Sequence, residues 1–361
     1  DFRKEYRVKH GKNLPPLFPN GWLPLIESSC VIKSKIVNVK FCGFEVIVFR
    51  SNSGEVYVLD AYCPHLGANL GSGGSLTNHC NKVCVRCPFH GWQFRATDGV
   101  CVKVPYTQKQ CAPNGVRIKT WLTDEVNGFI YVWYHAEGLE PTYNLPKFNE
   151  LNSRWWYAGR NEHLFNAVYQ DVPENAADMS HFAQLHPSSM FLGSDLDVLN
   201  KFKSLTSIMS HKFEAKWSVG EAPDTHKSIL KLLVRTCFFN YSFFDITLNI
   251  EQVGPSVVNL HFKSFAGIEG VLIQNFIPVA PLQQRLIHHI YVNKGLLGKI
   301  VAKIILRGET IQVERDIRIW RDKKYISNPK FVKEDSCLVK HRKWFSQFYS
   351  ENSKTLNLLD W

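Results

Sequence analysis

Two short clusters in this chain carry the residue types of a metal site: Cys63-Pro-His65 and Cys87-Pro-Phe-His90, with 21 residues between His65 and Cys87. Thiolates combined with imidazoles suit a structural zinc ion and an iron–sulfur centre equally, so spacing alone leaves both open. A second group lies in Pro173-Glu-Asn-Ala-Ala-Asp178-Met-Ser-His181-Phe-Ala-Gln-Leu-His186-Pro187, with a carboxylate and two imidazoles close together in sequence. On an ideal helix Asp178 and His181 share a face, whereas His186 falls about 140° from His181. Both imidazoles can reach one ion only if the helix bends or ends there, and Pro187 supplies a reason for it to end. Taken alone, the spacing fits a helix with two structural histidines at least as well.

The texture around the first clusters separates their readings. A structural zinc site needs four ligands in a tetrahedron and is indifferent to the residue after each histidine. A Rieske [2Fe–2S] centre puts two cysteines on one iron and two histidines on the other, and each cluster here supplies one of each. Gly67, two residues after His65, and Gly91, directly after His90, would let backbone amides approach bridging sulfides closely. Cys63-Pro-His65-Leu-Gly and Cys87-Pro-Phe-His90-Gly-Trp resemble the paired loops of Rieske proteins of the ring-hydroxylating oxygenase type.

An electron-transfer cluster fused to a further domain needs an acceptor, which turns the second group toward iron. Non-haem Fe(II) oxygenases hold the metal with two histidines and one carboxylate. With His181 and His186 as the imidazoles, a distant carboxylate is required. Val313, Asp316, Ile317 and Trp320 follow the i, i+3, i+4, i+7 pattern of a buried stripe, which sets Asp316 among apolar neighbours. A carboxylate there must be compensated by a metal or a partner charge, such as an arginine. Glu314 instead aligns with Arg318 and Arg321 on a solvated face. Asp316 is therefore the expected third ligand.

The resemblance now extends over nearly the whole chain. Pro-Glu-Asn-x-Ala-Asp-x-x-His, Asp316-Ile-x-Ile-Trp320 and Trp344-Phe-Ser-Gln-Phe-Tyr349 are similar to the sterol branch of the Rieske non-haem iron oxygenases, most of all the Neverland-type cholesterol 7-desaturases. The resemblance implies a [2Fe–2S] cluster on Cys63, His65, Cys87 and His90, and a mononuclear Fe(II) on His181, His186 and Asp316. It also implies O2 as oxidant and electrons from NAD(P)H through a separate reductase. In the family an aspartate three residues before the first iron histidine links that histidine to a cluster histidine of the neighbouring subunit in a trimer. Asp178 matches it and would connect His181 to His90 of the next chain. The implied reaction is removal of hydrogens from C7 and C8 of cholesterol, giving 7-dehydrocholesterol. A steroid hydroxylase of the 3-ketosteroid 9α-hydroxylase type is the alternative within the class, and a non-catalytic Rieske electron carrier the alternative outside it.

These residues need scaffolds of two kinds. From residue 21 to 136, short β-rich runs broken by turns, such as Phe44-Glu-Val-Ile-Val-Phe before Ser51-Asn-Ser-Gly54, predict a small all-β domain holding the first clusters. Residues 1–20 read as an extended leader and 137–150, with Pro141 and Pro146, as a linker. Residues 151–361 predict an antiparallel-sheet catalytic domain with flanking helices, so the fold class is α+β and helix-grip-like. Its strands are expected at 228–241, 245–253, 256–265, 270–276 and 286–292, and its helices at 172–185, 296–306, 309–323 and 338–350. The aromatic stretches Phe238–Phe244 and Phe262–Phe276 would help enclose a large apolar pocket.

Composition bounds the partners. Of 361 residues, 45% are hydrophobic and 21% charged, ordinary for a globular protein, and no run is long enough to span a bilayer as a helix. The net charge of +11 is scattered rather than gathered in a basic stripe, which argues against nucleic acid and fits an acidic electron-transfer partner or anionic lipid heads. Cations four apart in Leu296-Leu-Gly-Lys299-Ile-Val-Ala-Lys303 fit a solvated helix face or a membrane-surface patch. Eight of the ten cysteines lie outside the clusters without a regular framework, so a reducing, intracellular compartment is expected. The expected setting is the endoplasmic reticulum membrane surface, with any amino-terminal anchor lying outside this chain.

Overall fold

The computed structural model describes residues 14–108, 114–186, 193–201, 209–239, 241–264 and 267–356. The chain divides into two compact units: Trp22–Tyr134, and residues 135–361 together with 1–21.

The first unit is all β. One sheet orders Ile36–Phe41, Phe44–Arg50, Val56–Asp60 and Thr120–Trp121; another orders Ser75–His79, Lys82–Arg86, Gln93–Arg95 and Cys101–Lys103. A third sheet joins Gly21–Glu27, Phe129–Tyr134 and Thr123–Val126. Val46, Ile47, Val48 and Phe49 are all fully buried, so the Phe44–Arg50 strand is packed on both faces instead of alternating. Ser51–Gly54 makes the expected turn, closed by Gly54 N–H donating to Ser51 O at 3.1 Å.

The second unit is built on a seven-stranded antiparallel sheet. Its strands are β1 (Trp155–Asn166), β2 (Met209–Val219), β3 (Lys227–Phe238), β4 (Tyr241–Val253), β5 (Val257–Ser264), β6 (Glu269–Ala280) and β7 (Gln283–Asn293), in the order β1-β7-β6-β5-β4-β3-β2. The helices are α1 (Asp171–Glu174), α2 (Met179–Leu185), α3 (Leu196–Lys201), α4 (Leu296–Asp322) and α5 (Ser336–Phe345). β1 and β2 were not anticipated: β1 exposes Trp156, Tyr157 and Leu164 along with Arg160 and Glu162 and buries only Trp155 and Phe165, a weak signal for an edge strand.

Four expectations are corrected. The helices at 296–306 and 309–323 are one, α4, because Ala302 and Ile311 are buried on either side of Gly308 and hold the helix through a residue that costs only about 1 kcal/mol there. The helix at 172–185 is instead broken at Asp178, whose backbone is extended. The leader is not free where it is described: Leu17 and Phe18 are buried, and Leu17 N–H and Asn20 N–H donate to the carbonyls of Lys354 and Phe348. Within 137–150, Tyr143 and Leu145 are buried and Phe148 packs edge-on against His261, so this stretch is folded into the second unit. Residues 1–13 and Pro187 lie outside the described residues.

Ion pairs fasten the helices beside the break. Glu174 on α1 receives both arms of Arg342 from α5, at 2.7 and 2.9 Å, and Asp171 receives Lys323 at 2.7 Å. Burial raises the Asp171 carboxyl above its ordinary value, and Lys323 opposes that rise. Removing the arginine would leave Glu174 charged and largely enclosed. Arg342→Ala is expected to destabilise the second unit by about 3–5 kcal/mol, measured as a lowered midpoint in urea with an unchanged slope.

Candidate metal centres

In the first unit the two ligand loops are the same turn built twice. Gly67 N–H donates to Cys63 O at 2.9 Å and Gly91 N–H to Cys87 O at 3.1 Å. Cys63 N–H in turn donates to Ala68 O at 2.9 Å, and Cys87 N–H to Trp92 O at 2.8 Å. Both glycines sit at positive φ, +71° and +73°, where other residues are strained. On this shared backbone the imidazole comes at the third position of one turn and the fourth of the other.

The resulting site is graded from inside to outside. Cys63 and Cys87 are 2% and 3% exposed, whereas His65 and His90 are half-buried, with ring centroids 4.8 Å apart at 74°. His65 is held by stacking on Trp92 at 4.5 Å, and Trp92 Nε1–H donates to Tyr106 Oη at 2.9 Å. Burial pushes the Cys63 thiol up to about 11, with the facing Cys87 thiol adding to the rise. Two enclosed thiols become thiolates together only beside a strong cation. The Nδ1 of His90 is buried without a hydrogen-bond partner. A buried inner pair of sulfurs and an outer pair of imidazoles, one with an orphaned nitrogen, fits a [2Fe–2S] cluster.

In the second unit the break at Asp178 positions the other group. One carboxylate oxygen of Asp178 caps α2, accepting from Ser180 N–H at 3.1 Å and His181 N–H at 3.2 Å. The backbone carbonyl of Asp178 accepts from His181 Nδ1–H at 2.5 Å. That bond fixes the tautomer and leaves the Nε2 lone pair free, while burial lowers the His181 pKa. His186, 2% exposed, comes directly after the last helical residue, where the chain leaves helical geometry; this is the ending that lets both rings converge.

Asp316 comes from α4. Its Oδ1 lies 3.1 Å from His186 Nε2, and one donor atom from each of His181, His186 and Asp316 falls within 4.8 Å of the others. Neither His186 Nδ1 nor Asp316 Oδ1 has a hydrogen-bond partner, although both are buried. Two imidazoles and one carboxylate in this arrangement would suit a cation such as non-haem Fe(II). All seven expected ligands thus gather in two sites, four in one unit and three in the other, with Asp178 beside the latter.

Other participants were not read from the sequence. Arg315, adjacent to Asp316 and 1% exposed, donates to Leu185 O and Gly193 O, tying the end of α2 to Gly193. Its direct neighbourhood to Asp316 hid it, because an arginine beside the buried stripe reads as solvated.

The three ligands lie in the wall of a cavity with about 1040 Å³ of empty space, part of it open to solvent. Leu232, Leu248, Ile250, Leu260 and Phe276 from the sheet and Val313 and Trp320 from α4 make it mostly apolar. Of the aromatic stretches expected here, Phe276 contributes, but Phe238, Phe239 and Tyr241 are exposed at the β3–β4 hairpin.

The two constellations and the sheet define a Rieske-domain oxygenase, and the comparisons agree. The Rieske [2Fe-2S] domain family matches residues 21–122, and the 3-ketosteroid 9alpha-hydroxylase C-terminal domain family matches residues 132–349. A cholesterol 7-desaturase of Xenopus laevis is 42% identical over 96% of this chain and 76% of its own length. A probable 3-ketosteroid-9-alpha-monooxygenase oxygenase component of Rhodococcus rhodochrous is 27% identical, over 93% and 81%. The solved structure of dicamba monooxygenase superimposes with a TM-score of 0.64 at 14% identity, over 92% of this chain and 98% of that one. The chain belongs to the cholesterol 7-desaturase family. It is accordingly an O2-dependent oxidoreductase of the Rieske class, with a [2Fe–2S] cluster and a mononuclear iron as cofactors.

Proposed function

We propose that this chain desaturates a sterol, converting cholesterol to 7-dehydrocholesterol. Cholesterol loses one hydrogen each from C7 and C8, and with two electrons and two protons these reduce O2 to two waters. The observation that carries the reading is the ligand set His181, His186 and Asp316 standing in the wall of a predominantly apolar cavity. These three residues would hold the mononuclear iron, and Cys63, His65, Cys87 and His90 the cluster. When bound, the iron activates O2 with electrons that the cluster relays from a reductase using NAD(P)H.

The protein's own contribution is enclosure and aim. Apolar walls exclude water and grip a rigid hydrocarbon, and the point of the ring system held toward the ligand set decides which hydrogens leave. Asp178 offers its second carboxylate oxygen, unused by the α2 cap, for a hydrogen bond to His90 of the neighbouring chain in a homotrimer. Leu296, Leu297 and Ile300 are exposed at the start of α4 beside Lys299 and Lys303, which supports docking of the second unit on an anionic membrane surface, such as that of the endoplasmic reticulum, where sterols reside. No helix among the described residues is long and apolar enough to cross a membrane.

The test is turnover of cholesterol by the iron-loaded protein with O2 and a reductase, analysed by mass. Loss of two hydrogens is the expected product. Gain of an oxygen would make the chain a sterol hydroxylase, and no oxidation with a fully loaded cluster would leave an electron carrier.

A further inference from the structure

The floor of the cavity is not uniformly apolar. Cross-strand partners in an antiparallel sheet project from the same face, so each row of partners forms a line across it. One row reads Ile290, Leu272, Leu260, Ile250 and Leu230, apolar throughout. Two residues along, the next row reads Asn161, His288, Gln274, Val258, Gln252 and Ser228, polar at five of its six positions. Gln274 and Gln252 line the cavity, and above the His288 end stands Glu309 of α4, which lines it too.

A chain of hydrogen bonds fixes where the protons lie at that end. Thr310 Oγ1–H donates to Leu306 O at 2.7 Å, so the same oxygen accepts from Asn161 Nδ2–H, also at 2.7 Å. The amide oxygen of Asn161 therefore faces His288 and accepts from its Nδ1–H at 2.6 Å. With Nδ1 protonated, a neutral His288 presents a bare lone pair on Nε2, and that atom is fully buried with no hydrogen-bond partner. Glu309 Oε1 lies 3.7 Å from it, too far for a hydrogen bond. A bare lone pair and an ionised carboxylate would repel one another there, so one of the two groups holds a proton, which the 3.7 Å separation leaves unshared. Burial decides its place: it pushes His288 down to about 3 and Glu309 up to about 7. Glu309 is then a carboxylic acid that makes no hydrogen bond among the described residues and opens on the cavity.

We propose that Glu309, acting as a neutral hydrogen-bond donor backed by His288, forms with Gln274 the subsite that receives the hydroxyl of the substrate. The inference rests on the sterol reading above and names the positioning residue for it. Glu309 and Asp316 are seven residues apart on one face of α4, which sets them about 10 Å apart along the axis. A sterol carries its hydroxyl on the first ring and C7 and C8 on the second, so a hydroxyl anchored at Glu309 directs the second ring toward the ligand set. Leu260, Ile250 and Leu230 of the apolar row, which line the cavity, accommodate the hydrocarbon body. A carboxylic acid with its proton unshared is an expensive group to bury, and a ligand hydroxyl satisfies it by accepting that proton's hydrogen bond.

The experiment compares cholesterol with its analogue lacking the hydroxyl, cholest-5-ene, using equilibrium binding of labelled sterol and KM and kcat on wild type, Glu309→Leu and Glu309→Gln. Wild type is expected to bind cholesterol about tenfold more tightly than the analogue. Glu309→Leu should bind both with the weaker constant, whereas Glu309→Gln, whose amide still donates, should keep most of the preference. The change should fall on KM for cholesterol, with iron content and melting temperature of Glu309→Gln unchanged. A Glu309→Leu protein that retains the preference overturns the subsite, as does a wild type that binds both sterols equally. A wild type that binds neither overturns the sterol reading and the subsite with it.

Discussion

Replacing His186 by alanine should remove the iron outside the cluster and abolish sterol turnover, while acid-labile sulfide and the EPR signal of the dithionite-reduced cluster stay at wild-type levels. The ring contributes more than one donor. It is almost fully buried where α2 ends, and its Nε2 faces Asp316 at 3.1 Å, so its loss also strips the buried carboxylate of its nearest partner. His181 and Asp316 alone leave the ion with too few protein ligands to compete with water. Loss of an outer partner of a metal ligand costs roughly 10–100-fold in affinity or activity, and loss of the ligand itself should exceed that range. Metal analysis on anaerobically loaded protein gives the answer, and a variant that keeps its full iron content would dismiss His186 as a ligand.

Asp178→Asn should separate holding iron from supplying it with electrons. Asparagine caps a helix as well as aspartate does, so α2 keeps its start. The bond that orients His181 runs to the backbone carbonyl of residue 178, which the substitution leaves in place. Iron content and sterol KM are therefore expected to hold, and only the carboxylate proposed to bond the next chain's His90 is lost. Turnover should fall by about 10–100-fold, the range for a partner acting through a metal-bound histidine. Rapid mixing of reduced protein with O2 and sterol would locate the fall in the step after cluster reduction. A variant at wild-type rates would remove Asp178 from the electron path.

How much of this could be read from the chain depends on how local each signal was. The cluster loops announce themselves because ligands, prolines and glycines that make each turn lie within a few residues. Asp316 was reachable through periodicity, since Val313 and Trp320 mark the buried side of α4 and a carboxylate among them demands a reason. Glu309 lies on that same stripe two turns earlier, yet it reads as an ordinary helix residue, because its meaning comes from His288 on a strand packed beneath it. The polar row is invisible in sequence for the same reason: its members sit on separate strands and become neighbours only through register. β1 escaped detection through its charged, exposed side chains. The break at Asp178 was misread as continuous helix because a cap and an interior position differ only in backbone geometry, and Asp is compatible with both.

The paired turns around Cys63 and Cys87 bear on how the protein is made in the cell. Each is closed by its own backbone bonds and its own glycine, and Trp92 stacks on one of the imidazoles. A site whose backbone is already fastened demands little ordering from whatever enters it. Cluster insertion is therefore expected to need little ordering of the backbone, and the half-buried histidines form the outer side of the site that receives iron and sulfide.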